Sequence, residues 1–279
     1  MIEIHRVGPV LQFKFNRTFF GKTIRSTAAY YLDGLLIDSG YAHAAKQFVQ
    51  VLVERPIHTL VHTHTHEDHV GANFLLQKQR QIEARAHPEA PLRLKNQFPL
   101  KFYRRFVWGT PLQTQIKPLQ NQIETDKHKF EIIYLPGHSI DHVGFYEPHE
   151  GWFFAGDLFL GVKVRVLHKE ECFTQHLHSL RKALQLPMQY LFCGSGKILT
   201  QPHEFLKIKL EFFEEIQHHV LDLWAKGWEP SKIRDQVLGR EGFLTYFSQG
   251  EFSKLNMVKK IIEENLSGHQ KKSSSSKLW

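Results

Sequence analysis

Hydrophobic and polar positions alternate through the opening of the chain. IEIHRV at residues 2–7 and VLQFKF at 10–15 have a period of two or nearly so, and both read as strands. Two further strand-like runs, AAYYLDG and GLLIDSG, meet at a Gly-containing turn. The period then changes. Apolar positions between Tyr41 and Glu54 have helical spacing, which Pro56 ends. HTLVHT is a short apolar-rich strand, Gly71 to Gln79 a helix, and IEARAH the next strand. EIIYL, VGFYE, WFFAGD and QYLFCG predict four later strands, with an amphipathic helix from Thr174 to Leu186 between the last two. Strands punctuated by helices predict an α/β fold, with sheets covered by helices on their outer faces.

After about Gln201 the texture becomes helical. HEFLKIKLEFFEEIQHHVLDLWAKG has the spacing of one long amphipathic helix that Gly227 terminates. SKIRDQVLG follows, with Pro230 and Ser231 as its start signal, and then FSKLNMVKKIIEEN. The expected organisation is a main domain over residues 1–202, a helical appendage over 203–266 and a disordered tail over 267–279. The tail contains the polar, low-complexity GHQKKSSSSKLW.

Composition narrows the class. A chain of 279 residues can bury one large core, or one domain plus a small appendage. No apolar run is long enough to cross a bilayer, and MIEIHRVGPV lacks the layout of a signal peptide, so no membrane partner is expected. Cys172 and Cys193 are too few for a disulfide framework, which points to a cytoplasmic setting. The net charge of +8 permits attraction to nucleic acid or to an anionic small molecule and selects neither. With 19 histidines present, a single histidine carries little weight and spacing has to discriminate.

The spacing of HTHEDH does so. His64, His66, Asp68 and His69 would scatter over different faces of a helix. A loop at the end of the strand HTLVHT can aim all four into one cleft. Imidazoles and a carboxylate are ligands that Zn²⁺ favours. The alternative is a solvated polar loop in a histidine-rich protein. Two later segments carry similar chemistry. Pro136-Gly137 ends EIIYL sharply and turns His138 outward. Asp157 follows the apolar strand WFFAG, where an unpaired buried carboxylate would be costly.

HTHEDH resembles the His-x-His-x-Asp-His signature of the metallo-β-lactamase superfamily. LLIDSG with Asp38, LPGHSIDH with His138 and FFAGDLF with Asp157 resemble its remaining motifs in the expected order, over roughly residues 1–200. The resemblance implies a four-layered αβ/βα sandwich with a helical C-terminal extension, its site at the edge between two sheets. It further implies that His64, His66 and His138 form a first metal site. Asp68 and His69 then face a second metal, and Asp157 bridges the pair. The activity implied is hydrolysis by a metal-activated water, with Asp68 the catalytic residue that orients the water or shuttles its proton.

One motif departs from the family. Where a last histidine is expected, YLFCGSGK has Ser195, a poorer ligand for Zn²⁺ than imidazole. The vacancy is left to His203, His168, Cys193 or water. One firmly bound Zn²⁺ with a second that is weak or absent is therefore expected. Iron or manganese is kept as an alternative metal, the first as in the single-iron persulfide dioxygenase branch. A metal-free pseudo-enzyme is a further alternative.

The substrate is less constrained. KNQFPLKFYRRFVWGTP is basic with interleaved aromatics, closed by a turn at Trp108-Gly109-Thr110-Pro111. It reads as a helix with a solvated basic face, as a cover that attracts an anionic thioester, or as a surface for single-stranded nucleic acid. The C-terminal helices are similar to the small winged-helix-like appendage of the lactamase-like endoribonuclease subgroup. The favoured reading is a small-molecule hydrolase acting on a thioester or lactone. A metal-dependent ribonuclease or nucleic-acid-binding module is the alternative. The oligomeric state is not encoded legibly.

Overall fold

The computed structural model describes residues 1–97 and 99–275. The chain divides into two compact units. The first comprises Met1–Leu135, Ile140–Leu160 and Leu186–His203, and the second Pro136–Ser139, Gly161–Gln185 and the residues from Glu204 on.

The first unit holds two sheets. One has seven strands in the spatial order β1 (Ile2–Val7), β2 (Val10–Phe19), β3 (Lys22–Leu32), β4 (Leu35–Ile37), β5 (Thr59–Val61), β6 (Ala84–Ala86) and β7 (Ile116–Pro118). Pairing is antiparallel from β1 to β4 and parallel from β4 to β7. The other contains β8 (Gln122–Glu124), β9 (Lys129–Tyr134), β10 (Val143–Glu147), β11 (Trp152–Phe154), β13 (Tyr190–Phe192) and β14 (Ile198–Leu199). Within it only β11 and β13 run parallel.

Successive side chains on a strand face opposite ways, and both faces of the first sheet are apolar. Ala28, Tyr30 and Leu32 join Phe130, Phe145, Phe154 and Phe192 in a core between the sheets. The alternate positions Phe13, Phe15, Ala29 and Leu36 pack with Phe48 and Leu76 of α1 (Ala45–Val51) and α2 (Asn73–Arg80). This accounts for the uninterrupted apolar run Leu35–Ile37, which is buried on both sides.

Two elements differ from expectation. The helix foreseen between Tyr41 and Glu54 begins as a 3₁₀ turn at Ala42–Ala44 and continues as α1 only to Val51. β2 and β3 form one long hairpin whose tip, Phe20-Gly21, has φ of 46° and 73°. A two-residue hairpin turn with positive φ at both positions usually recruits Asn-Gly, so Phe-Gly concealed this one. α3 (Ala90–Gln97) and α4 (Phe102–Trp108) fill the basic, aromatic segment, whose Phe98 lies outside the described residues. Gly109, at φ 80°, ends α4 at the anticipated turn.

The second unit contains α5 (Phe173–Ala183), α6 (Pro202–Ala225), α7 (Pro230–Val237), α8 (Phe243–Phe247) and α9 (Lys254–Ser275). A two-stranded ladder joins β12 (Leu167–His168) to β15 (Phe252–Ser253). α6 ends just before Gly227, at φ 79°, as its sequence predicts. The last four positions of the anticipated tail, 276–279, lie outside the described residues. Among the described residues, no helix is long and apolar enough to cross a membrane.

Candidate metal centre

HTHEDH leaves the end of β5 as a loop. Its imidazoles are out of solvent, with His64 and His69 at 0% exposure and His66 at 8%. The His64 ring lies 4.7 Å from that of His66 and 4.1 Å from that of His69, centroid to centroid. Ligand atoms of His64, His69 and Asp157 all fall within 4.8 Å of one another.

One carboxylate sets two of these rings. Asp38 sits at the end of β4 in the left-handed region, φ 62°, a conformation Asp tolerates better than most residues. Its Oδ2 accepts from His69 Nδ1 at 2.8 Å and from the Thr63 hydroxyl at 2.8 Å, while Oδ1 accepts from the Thr63 amide at 2.9 Å. The Thr63 proton is thereby committed, so its oxygen, 3.1 Å from His64 Nδ1, acts as the acceptor there. Both rings then carry the proton on Nδ1, which leaves Nε2 as the nitrogen that could ligate a metal. Burial works against the Asp38 charge, but His69 and His62 beside it hold the carboxyl well below the usual carboxylate range.

His69 supplies the test of fit to a metal. Its Nε2 is buried and has no hydrogen-bond partner. Asp157 Oδ1 and Asp68 Oδ2 stand 3.6 and 3.8 Å away, too far for hydrogen bonds. A buried imidazole nitrogen flanked at that range by two carboxylates fits a divalent cation. The neighbouring carboxylates also favour the charged form of His69. Burial opposes its charge, but Asp38, Asp68 and Asp157 outweigh that and raise it to about 10. Desolvation pushes Asp68 up to about 6, partly offset by His69.

The surrounding backbone is held by groups the sequence reading passed over. Asp141 Oδ2 accepts from the Thr65 amide and hydroxyl at 2.9 and 2.5 Å, tying LPGHSIDH to the histidine loop. His142 donates from Nδ1 to the Leu135 carbonyl and accepts the Asp157 amide on Nε2, at 3.0 Å each. Glu67, a spacer in the signature, is fully buried and takes a bidentate fork from Arg104 of α4 at 2.7 and 2.6 Å. That pair draws part of the basic segment's charge inward. Tyr103 and Val107 of the same helix are buried, and Phe102 is exposed.

Ser195 lies in the turn between β13 and β14 with its hydroxyl buried and without a hydrogen-bond partner. Tyr30 and Gln12 bind this turn by donating to the Cys193 and Gly196 carbonyls at 2.6 and 3.2 Å. Two of the candidates for the missing histidine have partners of their own. His203 is exposed with Nε2 2.8 Å from the Leu186 carbonyl, and His168, in the second unit, accepts the Glu170 amide on Nδ1 at 3.3 Å.

His138 also belongs to the second unit. There its Nδ1 lies 2.9 Å from Glu171 Oε1, and Glu171 Oε2 lies 3.4 Å from His176 Nε2. No sequence signal marked Glu171 or His176, because neither has a telling neighbour in the chain.

Comparison with known proteins places the chain. The hydroxyacylglutathione hydrolase GloC of Haemophilus influenzae is 33% identical over 180 residues, spanning 60% of this chain and 82% of that protein. A beta-lactamase-like protein 2 homolog of Drosophila melanogaster is 27% identical over 223 residues, 73% of this chain and 70% of its own. Among solved structures, a metallo-beta-lactamase family protein from Thermus thermophilus superposes with a TM-score of 0.68 at 17% identity. It covers 93% of this chain and 95% of that one, and so shares the fold. The family model of the metallo-beta-lactamase superfamily matches residues 24–194, more than half of the chain. This chain belongs to the metallo-beta-lactamase superfamily.

Proposed function

We propose that the protein is a metal-dependent hydrolase of small thioesters, of which acylated glutathione is the first class to test. The observation that carries this is His69: its Nδ1 is fixed by Asp38, while its buried Nε2 faces Asp157 and Asp68 without a partner. The thioester class is suggested by the hydroxyacylglutathione hydrolase of Haemophilus influenzae, most of whose length this chain matches. Lactones are the second class.

In this reading His64, His66 and His138 would hold Zn²⁺ firmly, as their places in the motifs imply. Asp68, His69 and Asp157 hold a second ion weakly, because Ser195 stands where imidazole would complete that site. Ions held there would supply a water acidified toward neutral pH and positive charge to offset the negative charge developing on the thioester carbonyl oxygen. Asp68 would take the proton of the attacking water and deliver it to the departing thiolate, a role suited to a carboxyl group with 16% of its side chain exposed. Asp38 keeps His64 and His69 in the ligating tautomer throughout.

A panel of acylglutathione thioesters, lactones and an oligonucleotide phosphodiester tests the reading. Thiol release that chelation abolishes and Asp68→Asn nearly abolishes is expected. Phosphodiester cleavage without any thioester turnover would overturn it.

A further inference from the structure

The second unit contains a carboxylate that meets His138. We propose that Glu171 is a positioning residue for His138. It holds the imidazole in one tautomer and orientation, and so sets how tightly the first metal binds. The proposal rests on His138 being a metal ligand.

The turn that carries His138 is docked on α5 by its backbone. Gly137 has φ 134°, and a Cβ there would lie 2.6 Å from the His176 amide nitrogen and 2.9 Å from its Cα. Only glycine permits that approach. The Gly137 carbonyl accepts from the Cys172 amide at 2.8 Å, and the Pro136 carbonyl from the Ser179 hydroxyl at 2.6 Å. Residues immediately before and along α5 are therefore fixed relative to His138.

Glu171 uses that placement. It is 7% exposed, and its Oε1 accepts from His138 Nδ1 at 2.9 Å. An acceptor-only carboxylate requires the proton on Nδ1, which leaves Nε2 as the ligating nitrogen. Its other oxygen faces His176 Nε2 at 3.4 Å, so a second buried imidazole packs against the carboxylate. From the far side, Glu264 of α9 accepts the Phe173 and Thr174 amides at 3.1 and 2.7 Å, satisfying the open amides at the start of α5. The C-terminal helices thus brace the element that orients His138. Asp38 does the same for His69 in the first unit, so each imidazole has its own carboxylate.

Ligand atoms of His138, Glu171 and His176 also lie within 4.8 Å of one another, close enough to hold an ion of their own. The 2.9 Å contact between His138 and Glu171 has hydrogen-bond length, which favours orientation over coordination.

The test is the affinity of the full-length protein for its first Zn²⁺, by competition with a chromophoric chelator, beside the visible spectrum of the Co²⁺-loaded protein. Glu171→Gln keeps an oxygen at the same reach but loses the charge. It is expected to weaken the first Zn²⁺ by about 10–100-fold and to alter the Co²⁺ bands, with thermal unfolding of the metal-free protein little changed. Glu171→Asp, a shorter carboxylate, is expected between native and Gln, and decides the matter if Glu171→Gln does not fold. Glu211→Gln, on the exposed face of α6, should bind as native does. Native affinity and spectrum in Glu171→Gln, or loss of a separate stoichiometric ion with the first site intact, would overturn the proposal. His138→Ala separates the two claims. If it binds as native does, the ligand assignment itself falls. If it loses the ion while Glu171→Gln keeps it, only the role of Glu171 falls.

Discussion

Gly194→Ala puts one methyl group at the centre of the site. Built on the existing backbone, that Cβ would lie 2.2 Å from Asp157 Oδ1 and 2.8 Å from His69 Cε1. Ordinary van der Waals contact begins near 3.4 Å, so the carboxylate oxygen has to retreat by about 1.2 Å. The backbone cannot yield in its place. The Gly194 carbonyl accepts from the Ala28 amide at 2.7 Å and the Thr27 hydroxyl at 3.2 Å, and its amide donates to the Gly156 carbonyl at 2.7 Å. Misplacing a reacting group by about 1 Å costs about 100-fold in rate, and crowding a packed interior costs about 1–3 kcal/mol. The expected outcome is a loss of about two orders of magnitude in thioester kcat/KM, depletion of the weaker metal and a modest fall in Tm. Metal content and kcat/KM are measured on the same preparation. Activity within twofold of native, with full metal content, would refute the placement of Asp157 and His69 around this glycine.

Other outcomes follow from the same contacts. Ser195→His should let the protein retain two Zn²⁺ equivalents after dialysis where native retains one, by elemental analysis. Two equivalents held equally firmly by the native chain would contradict the view that serine weakens the second site. Arg104→Ala leaves the fully buried Glu67 carboxylate without its fork and should destabilise the fold by about 3–5 kcal/mol in urea unfolding. The Glu67→Ala/Arg104→Ala pair should recover part of that loss, and simple additivity of the two single variants would count against the fork. Gly227→Ala, left-handed and in open space, should cost about 1 kcal/mol in unfolding while leaving thioester kcat/KM unchanged.

Much of the molecule was legible along the chain wherever a local pattern sufficed. The four ordered motifs identified the superfamily, and strand periodicity located most of both sheets. α6 came from its spacing and terminating glycine. Features that depend on distant partners were not legible. The β2–β3 hairpin closes on Phe20-Gly21, whose positive φ values are tolerated in this fold but uncommon for phenylalanine. Glu67 reads as a spacer until Arg104, 37 residues on, is seen against it. Glu171 is one acidic residue among many until it faces His138, and the inward turn of Asp38 needed Thr63 and His69 to give it meaning. The histidine abundance left the ligand at the Ser195 position open. His203 and His168 were two of the four possibilities left for the Ser195 vacancy, and each has a partner of its own, the Leu186 carbonyl and the Glu170 amide.

The central claim is a first metal held by His64, His66 and His138, with a weaker second between Asp68, His69 and Asp157. Anomalous diffraction at the zinc edge from crystals grown with Zn²⁺ and then washed tests it most directly. A full-occupancy peak at the three histidines, with a fainter one beside Asp157, is the predicted result. A map with no peak at the three histidines, or with two peaks of equal occupancy, would contradict it.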